Sequence, residues 1–182
     1  MEFRELAVPG AWVITPRQLG DDRGMFLESF KACEFEKITG RAFDLRQVNC
    51  SVSAAGVLRG IHYTEDPPGQ AKYVTCVRGA FLDVVVDLRP SSPTYGHWDS
   101  VVLDDVDRRS MFLSEGLGHA ILSLEDHSTV TYLCSLEYSP EFDRDIDAFD
   151  PQLGIDWPTV GRDGTPLTYV RSPKDTVAPP FS

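Results

Sequence analysis

The chain has 182 residues, of which 42% are hydrophobic and 25% charged, and its formal net charge is −11. These values are ordinary for a globular protein with a buried core, and they predict one domain over residues 1–182. The acidic balance without a basic patch argues against nucleic acid as a partner. No apolar run reaches the roughly 18 residues of a membrane span, and the N-terminal segment lacks the regions of a signal peptide. We therefore expect a cytoplasmic protein that makes no membrane contact.

The four cysteines argue against a disulfide framework and against structural zinc. Cys33, Cys50, Cys76 and Cys134 are far apart and form no CxxC pair. Cys76 and Cys134 fall within apolar, strand-like runs, which is typical of reduced core residues.

The first forty residues predict short elements. An apolar alternation over residues 11–14 indicates an edge strand, and a turn at residues 22–24 leads into a second strand that begins with residues 25–27. Residues 31–39 predict a helix that ends at Gly40, because glycine accepts the left-handed conformation that commonly closes a helix.

From residue 43 onward the pattern is β almost throughout. The run 80–90 alternates so that Phe81, Asp83, Val85 and Asp87 share one face and the intervening residues the other. Strands separated by Gly, Pro and Asp turns at intervals of about 8–12 residues predict an antiparallel sandwich or barrel. We expect the loop-rich tail after Pro140 to wrap the sheet. The predicted strands cover residues 43–53, 56–63, 72–79, 80–90, 97–104, 110–116, 118–126 and 128–138.

The stretch of residues 56–74, GVLRGIHYTEDPPGQAKYV, carries the chemistry. It predicts two strands joined by a turn at Pro67–Gly69, with Arg59, His62 and Lys72 able to face one concavity. A histidine base beside two cations suits removal of a proton from a carbon acid and stabilisation of the resulting anion. The alternative is a hairpin whose charges are solvated.

The order of motifs resembles the dTDP-4-dehydrorhamnose 3,5-epimerase family, which includes antibiotic-sugar 3- or 5-epimerases. The resemblance spans nearly the whole chain. It implies an all-β cupin jelly-roll barrel with short peripheral helices, a homodimer with exchanged strands, a dTDP-4-keto-6-deoxyhexose substrate, and no cofactor or metal. The motifs are DDRGMFLESF, LRQVNCSVS, GVLRGIHY, PPGQAKYV, VRGAFLDVVVDLRPSSPTYGHW, EGLGHAILSLED, TYLCSLEYSPEFDR, DPQLGIDWP and RSPKD.

The resemblance also implies site residues. His62 falls on the family's base, Asp175 on its orienting partner, Tyr132 on the acid for the opposite face, and Lys72 on the lysine near the ketone. Other positions are associated with the nucleotide, the diphosphate or the sugar, and these are Arg23, Glu28, Gln47, Asn49, Arg59, His119, Tyr138 and Asp143.

Each catalytic assignment has a structural alternative. His62 would then be a hydrogen-bonded core histidine, Tyr132 a core aromatic, Lys72 a solvated strand end and Asp175 a solvated tail residue. The remaining histidines, His97 and His127, are predicted to lie on the surface.

Metal binding is the chemical alternative for a cupin, whose metal sites cluster two histidines two residues apart. Tyr63 and Thr64 follow His62, so that pair is missing and we expect no metal. Two other functions stay open, a 3,4-ketoisomerase on the same substrate and a non-catalytic nucleotide-sugar binding module. Departures from the family pattern at Thr64, Leu133 and residues 136–137 leave the inverted carbon open between carbon 3, carbon 5 and both.

Overall fold

The computed structural model describes residues 1–182 as an all-β protein with two short helices. The helices are α1 (Ala32–Thr39) and α2 (Pro173–Thr176). The strands are β1 (Glu2–Glu5), β2 (Ala11–Thr15), β3 (Gln18–Asp21), β4 (Gly24–Leu27), β5 (Gln47–Ser53), β6 (Leu58–Thr64), β7 (Lys72–Arg78), β8 (Ala80–Asp87), β9 (Trp98–Asp104), β10 (Ser110–Leu113), β11 (Leu117–Ser123), β12 (Ser128–Cys134) and β13 (Asp143–Asp145).

Two antiparallel sheets form the body of the protein. One has the order β1-β2-β10-β7-β12-β5 and the other β13-β6-β11-β8-β9, while β3 and β4 form a separate hairpin. The all-β prediction is confirmed, and each predicted strand is present with ends trimmed by a few residues. The edge position predicted for residues 11–14 is wrong, because β2 pairs with β1 on one side and with β10 on the other. Closure into a barrel is wrong, because no ladder joins the two sheets at their edges. The short strands β1, β3 and β13 were not predicted.

The main core lies between the two sheets and contains 15 buried residues. Every residue of β8 is buried, since this strand lies between β11 and β9 and is covered on both faces. Phe81 and Val85 enter the inter-sheet core, and Leu82 and Val84 enter a second cluster on the outer face. The predicted division of this strand into two faces is therefore confirmed. Each fully buried aliphatic or aromatic side chain contributes roughly 1.5–3 kcal/mol.

The tail covers the outer face of the five-stranded sheet. Ile146, Leu153 and Trp157 are buried there against the even-numbered side chains of β8. Trp157 Nε1 donates to the carbonyl of Ala148 at 2.8 Å, so its polar atom is satisfied as it is buried. The prediction that the tail wraps the sheet is confirmed. The prediction of one domain over residues 1–182 stays a prediction, which this packing supports.

The smaller features agree with the sequence. Helix α1 ends at Gly40, which has a φ of 73°, and buries Phe35 in an aromatic cluster. Cys76 and Cys134 are buried free thiols, and His97 and His127 are exposed. Neither helix is long and apolar enough to span a membrane.

Candidate active site

A polar cleft of about 300 Å³ opens between the ends of the two sheets. All four predicted catalytic side chains line it, and five of the predicted binding side chains join them. The 12 lining residues are Gln47, Asn49, Arg59, His62, Gln70, Lys72, Tyr132, Tyr138, Asp143, Ser172, Lys174 and Asp175.

An irregularity in β6 brings two of these side chains to one wall. In a regular strand Arg59 and His62 would face opposite sides, because side chains alternate. The pairing of β6 with β11 instead shifts register next to Gly60, which has a φ of 110°. A Cβ at Gly60 would lie 2.5 Å from the carbonyl oxygen of His119, so only glycine allows this approach. Leu58 and Ile61 can then face the outer cluster while Arg59 and His62 both face the cleft.

His62 and Asp175 form a histidine–carboxylate pair. His62 Nε2 lies 2.6 Å from Asp175 Oδ1, although the two residues are 113 positions apart in sequence. Ser172 fixes the carboxylate, since its hydroxyl donates to Asp175 Oδ2 at 2.8 Å and accepts from the backbone N–H of Asp175. Burial alone would raise the pKa of Asp175, but hydrogen bonds from His62 and Ser172 outweigh it and lower that pKa. The carboxylate is therefore ionised and can hold the ring in one orientation.

Lys72 supplies a positive charge from a partly buried position in the cleft. Burial lowers the pKa of Lys72, and smaller opposing contributions come from Cys134, Asp143 and Asp83. None of the protein's salt bridges uses Lys72. Its ammonium is thus available to an anion that enters the cleft.

Tyr132 lies on the opposite wall from His62, because β12 and β6 belong to different sheets. It stands directly across from Asn49 on β5 in the strand register. Burial raises the pKa of Tyr132, with a smaller opposing contribution from Arg59. The phenol is therefore protonated near neutral pH and can donate a proton.

Further into the sandwich lies a second pair, His119 and Asp83. His119 Nε2 is 2.8 Å from Asp83 Oδ1, and this carboxylate is fully buried. Burial raises the pKa of Asp83, and His119 and Lys72 partly offset that effect. His119 lines a narrow extension of about 170 Å³ together with Arg59, His62, Lys72 and Tyr132.

Two predicted binding residues do not join the cleft. Arg23 lies at the turn of the β3–β4 hairpin with 89% of its side chain exposed, and it pairs with Asp21. Glu28 follows the hairpin and pairs with Lys31 at 3.1 Å. Within one copy of the chain these residues are therefore outside the cleft that holds the other predicted residues.

Sequence reasoning missed four side chains that belong to this site. Gln70 lies in the motif PPGQAKYV near Lys72, and Ser172 lies in RSPKD near Asp175. Their closeness in sequence to predicted catalytic residues could have indicated both. Lys174 also lies in SPKD, and its ammonium contacts Asp143 Oδ2 at 2.8 Å. Asp145 had no signal, because its position follows from the pairing of β13 with β6.

One group in the cleft has the composition of a metal site. His62, Asp145 and Asp175 each offer a ligand atom within 4.8 Å of the others. However, the 2.6 Å contact between His62 and Asp175 is a hydrogen bond, and the Lys174 ammonium lies 3.0 Å from Asp145. A cation at this position would be repelled by Lys174, so we assign no metal site to these residues.

Comparison with known proteins shows which family this chain resembles. The family model described as dTDP-4-dehydrorhamnose 3,5-epimerase matches residues 5–182. A Mycobacterium tuberculosis protein named dTDP-4-dehydrorhamnose 3,5-epimerase is 55% identical over 181 residues, which cover 100% of this chain and 88% of that protein.

Solved structures show the same likeness and agree with the expected jelly roll. An epimerase of Mycobacterium tuberculosis superposes with a TM-score of 0.94 at 55% identity, covering 100% of this chain and 88% of that one. A 3′-monoepimerase from Streptomyces bikiniensis in complex with dTDP-quinovose gives 0.89 at 46% identity, covering 96% and 85%. The chain belongs to the dTDP-4-dehydrorhamnose 3,5-epimerase family.

Proposed function

We propose that this chain is a nucleotide-sugar epimerase that inverts carbon 3, carbon 5 or both in a dTDP-4-keto-6-deoxyhexose. The observation that carries the proposal is the 2.6 Å contact between His62 and Asp175 in a cleft that also holds Lys72 and Tyr132. The relatives support the substrate class, since they are named as 3,5-epimerases or 3′-monoepimerases of dTDP sugars.

In the first step, His62 removes the proton from a carbon next to the ketone. With Nε2 held by Asp175, Nδ1 is the nitrogen that accepts this proton, and the adjacent carboxylate stabilises the imidazolium that forms. The C–H electrons form the C=C bond of an enolate, whose negative charge develops on the former ketone oxygen. Lys72 stabilises that charge from a partly buried position, where an ammonium stabilises an anion more strongly than in water.

In the second step, Tyr132 returns a proton to the other face of the same carbon. Tyr132 and His62 come from opposing sheets, so a sugar ring in the cleft has one on each side. The enolate electrons take the phenolic proton and the ketone is restored with the carbon inverted. Solvent then reprotonates Tyr132 and deprotonates His62, which completes the cycle without a cofactor.

The remaining polar groups bind the substrate in this account. Arg59 brings positive charge to a cleft in a chain whose net charge is −11, which suits an anionic diphosphate. Arg59 is oriented by a hydrogen bond from its Nε to the hydroxyl of Ser53 at 3.2 Å.

A homodimer is part of the proposal. The β3–β4 hairpin exposes Leu19, Met25 and Phe26, and the edge strand β5 exposes Val48 and Val52. Apolar surface on a hairpin and on a sheet edge is commonly covered by a partner. A hairpin that crosses to a second copy would carry Arg23 toward that copy's cleft. Light scattering should give twice the chain mass of 20.3 kDa, and a monomer at micromolar concentration would overturn this part.

The reaction itself is tested with dTDP-4-keto-6-deoxyglucose in heavy water, followed by NMR and mass spectrometry. Deuterium at carbons 3 and 5, with both inverted, identifies a 3,5-epimerase, and deuterium at one carbon identifies a mono-epimerase. Transfer of the keto group to carbon 3 would identify a ketoisomerase instead. Binding of dTDP without any deuterium incorporation would leave a binding module.

Replacing the acid separates the two steps. Tyr132→Phe should slow completed inversion by about 100-fold while deuterium exchange at the starting carbon falls only about threefold, because general acid–base groups contribute about 10²–10⁴-fold to the step they serve. An equal loss in both measurements would contradict the role of Tyr132 as the acid.

A further inference from the structure

A second carboxylate faces the proposed base. Asp145 on β13 stands directly opposite His62 on β6 in the antiparallel register. Side chains at directly opposed positions lie on the same face with their Cβ atoms about 4.5–5.5 Å apart, so these two must be neighbours. The distance from His62 Nε2 to Asp145 Oδ1 is 3.6 Å, and only 15% of the Asp145 side chain is exposed.

The hydrogen bonding of Asp145 is incomplete. Its Oδ1 is buried and makes no hydrogen bond of good geometry, although it forms ion pairs. One partner is His62 and the other is Lys174, whose ammonium is 3.0 Å away. Lys174 also contacts Asp143 Oδ2 at 2.8 Å, so one ammonium serves two carboxylates. The hydrogen bond to Asp143, with the contact to Asp145, raises the pKa of Lys174 and keeps it charged.

We propose that Asp145 is a positioning residue for His62, a second carboxylate that stabilises the imidazolium formed when His62 takes the substrate proton, with Lys174 opposing that effect. Asp175 holds the ring by hydrogen bonding, and Asp145 acts mainly through its charge. The proposal rests on the proposed role of His62 as base. Its electrostatic part, the coupling of Asp145 to His62, exists in the resting protein and can be measured without substrate.

Removing the Asp145 charge and removing the Lys174 charge should have opposite effects on the imidazolium form of His62. Loss of the Asp145 charge disfavours the imidazolium, whereas loss of the Lys174 charge favours it, since it removes a cation and frees Asp145. A role limited to packing would give no such reversal. The titratable groups around His62 are Asp175 and Lys174 from α2, Asp143 and Asp145 from β13, His119 from β11, and Arg59, Lys72, Tyr132 and Tyr138 from the cleft walls.

The direct test is NMR titration of the histidine rings in the full chain, which has four histidines. Asp145→Asn should lower the midpoint of His62 by about half a pH unit or more, and Lys174→Met should raise it by a similar amount. Asp147→Asn is the matched control, because Asp147 lies two residues further on and pairs with Arg171 at 2.6 Å. It should leave the midpoint within about 0.2 units.

The kinetic test is the rate of deuterium exchange against pH. Asp145→Asn should lower kcat about fivefold with KM unchanged within about twofold, and should move the acid limb of the profile to lower pH. The Lys174 side chain is 54% exposed, so Lys174→Met should fold normally. This variant should move the acid limb of the profile to higher pH. Shifts in the same direction for both variants, or an unshifted His62 midpoint in Asp145→Asn, would overturn the proposal. Absence of exchange in the unmodified protein would instead overturn the proposed function, while the NMR titration would still decide whether Asp145 and His62 are coupled.

Discussion

Two histidine–aspartate pairs lie close together, one in the cleft and one at its narrow extension, and they differ in where their carboxylates come from. Asp83 reaches His119 from the neighbouring strand of one sheet, at a separation of 36 residues. Asp175 reaches His62 from a short helix in the tail, at a separation of 113 residues. The contacts are similar in length, 2.8 and 2.6 Å, so contact distance alone does not distinguish the two pairs.

The two pairs differ in how far their histidines are exposed to solvent. The side chains of His119 and Asp83 are 12% and 0% exposed, whereas 34% of the His62 side chain is exposed. The pKa of Asp83 is raised by burial, while the pKa of Asp175 is lowered, because Ser172 and His62 outweigh its burial. His62 can therefore exchange protons with a ligand, and His119 is suited to orient one.

The first expected difference between the pairs is in stability. Asp83→Ala should lower the free energy of unfolding by about 3 kcal/mol, because it leaves His119 without its partner in a buried site. Asp175→Ala should cost only about 1 kcal/mol, since its partner is partly solvated. Chemical denaturation of both variants measures this, and equal losses would remove the distinction between the pairs.

The next difference is in rate. Asp175→Asn should slow deuterium exchange by about 100-fold, or about 2.7 kcal/mol, because the ring loses the anion that orients it and stabilises its charge. Binding of dTDP should be unchanged, as calorimetry can check. A loss below about threefold would show that Asp145 or solvent replaces Asp175.

The smallest difference is in the pH dependence of stability. The lowered pKa of Asp175 means that its contribution is present above the ordinary value of 3.8 and is lost as the pH falls through the folded value. The raised pKa of Asp83 gives the opposite sign, so its contribution is largest at low pH and declines as the pH rises. Unfolding measured from pH 7 to pH 3 should show the stability difference between wild type and variant shrinking for Asp175→Asn and growing for Asp83→Asn.

The fold was largely predictable from the sequence because strand patterns are local. Alternation assigned the two faces of residues 80–87 correctly, and Gly40 marked the end of α1. Short strands such as β1 and β13 carry too few residues for a pattern to emerge. Closure of the sheets depends on edge contacts, which alternation does not report.

The residues of the candidate site were predictable only where they lie in recognisable sequence motifs. The stretch around His62 and Lys72 suggested proton abstraction from residue types alone, while Asp175 and Tyr132 came from the family resemblance. Asp145 could not be predicted, because its place beside His62 depends on a strand pairing across about eighty residues. Arg23 and Glu28 lie outside the cleft of their own copy, which the sequence does not indicate.

The central claim is that His62, and not His119, removes the proton. Deuterium exchange into dTDP-4-keto-6-deoxyglucose should be measured for His62→Ala and His119→Ala side by side, with dTDP binding as the check on folding. We expect a loss of about 1000-fold or more for His62→Ala and of about tenfold for His119→Ala, with dTDP bound by both variants. Exchange that survives in His62→Ala, or an equal loss in the two variants, would contradict it.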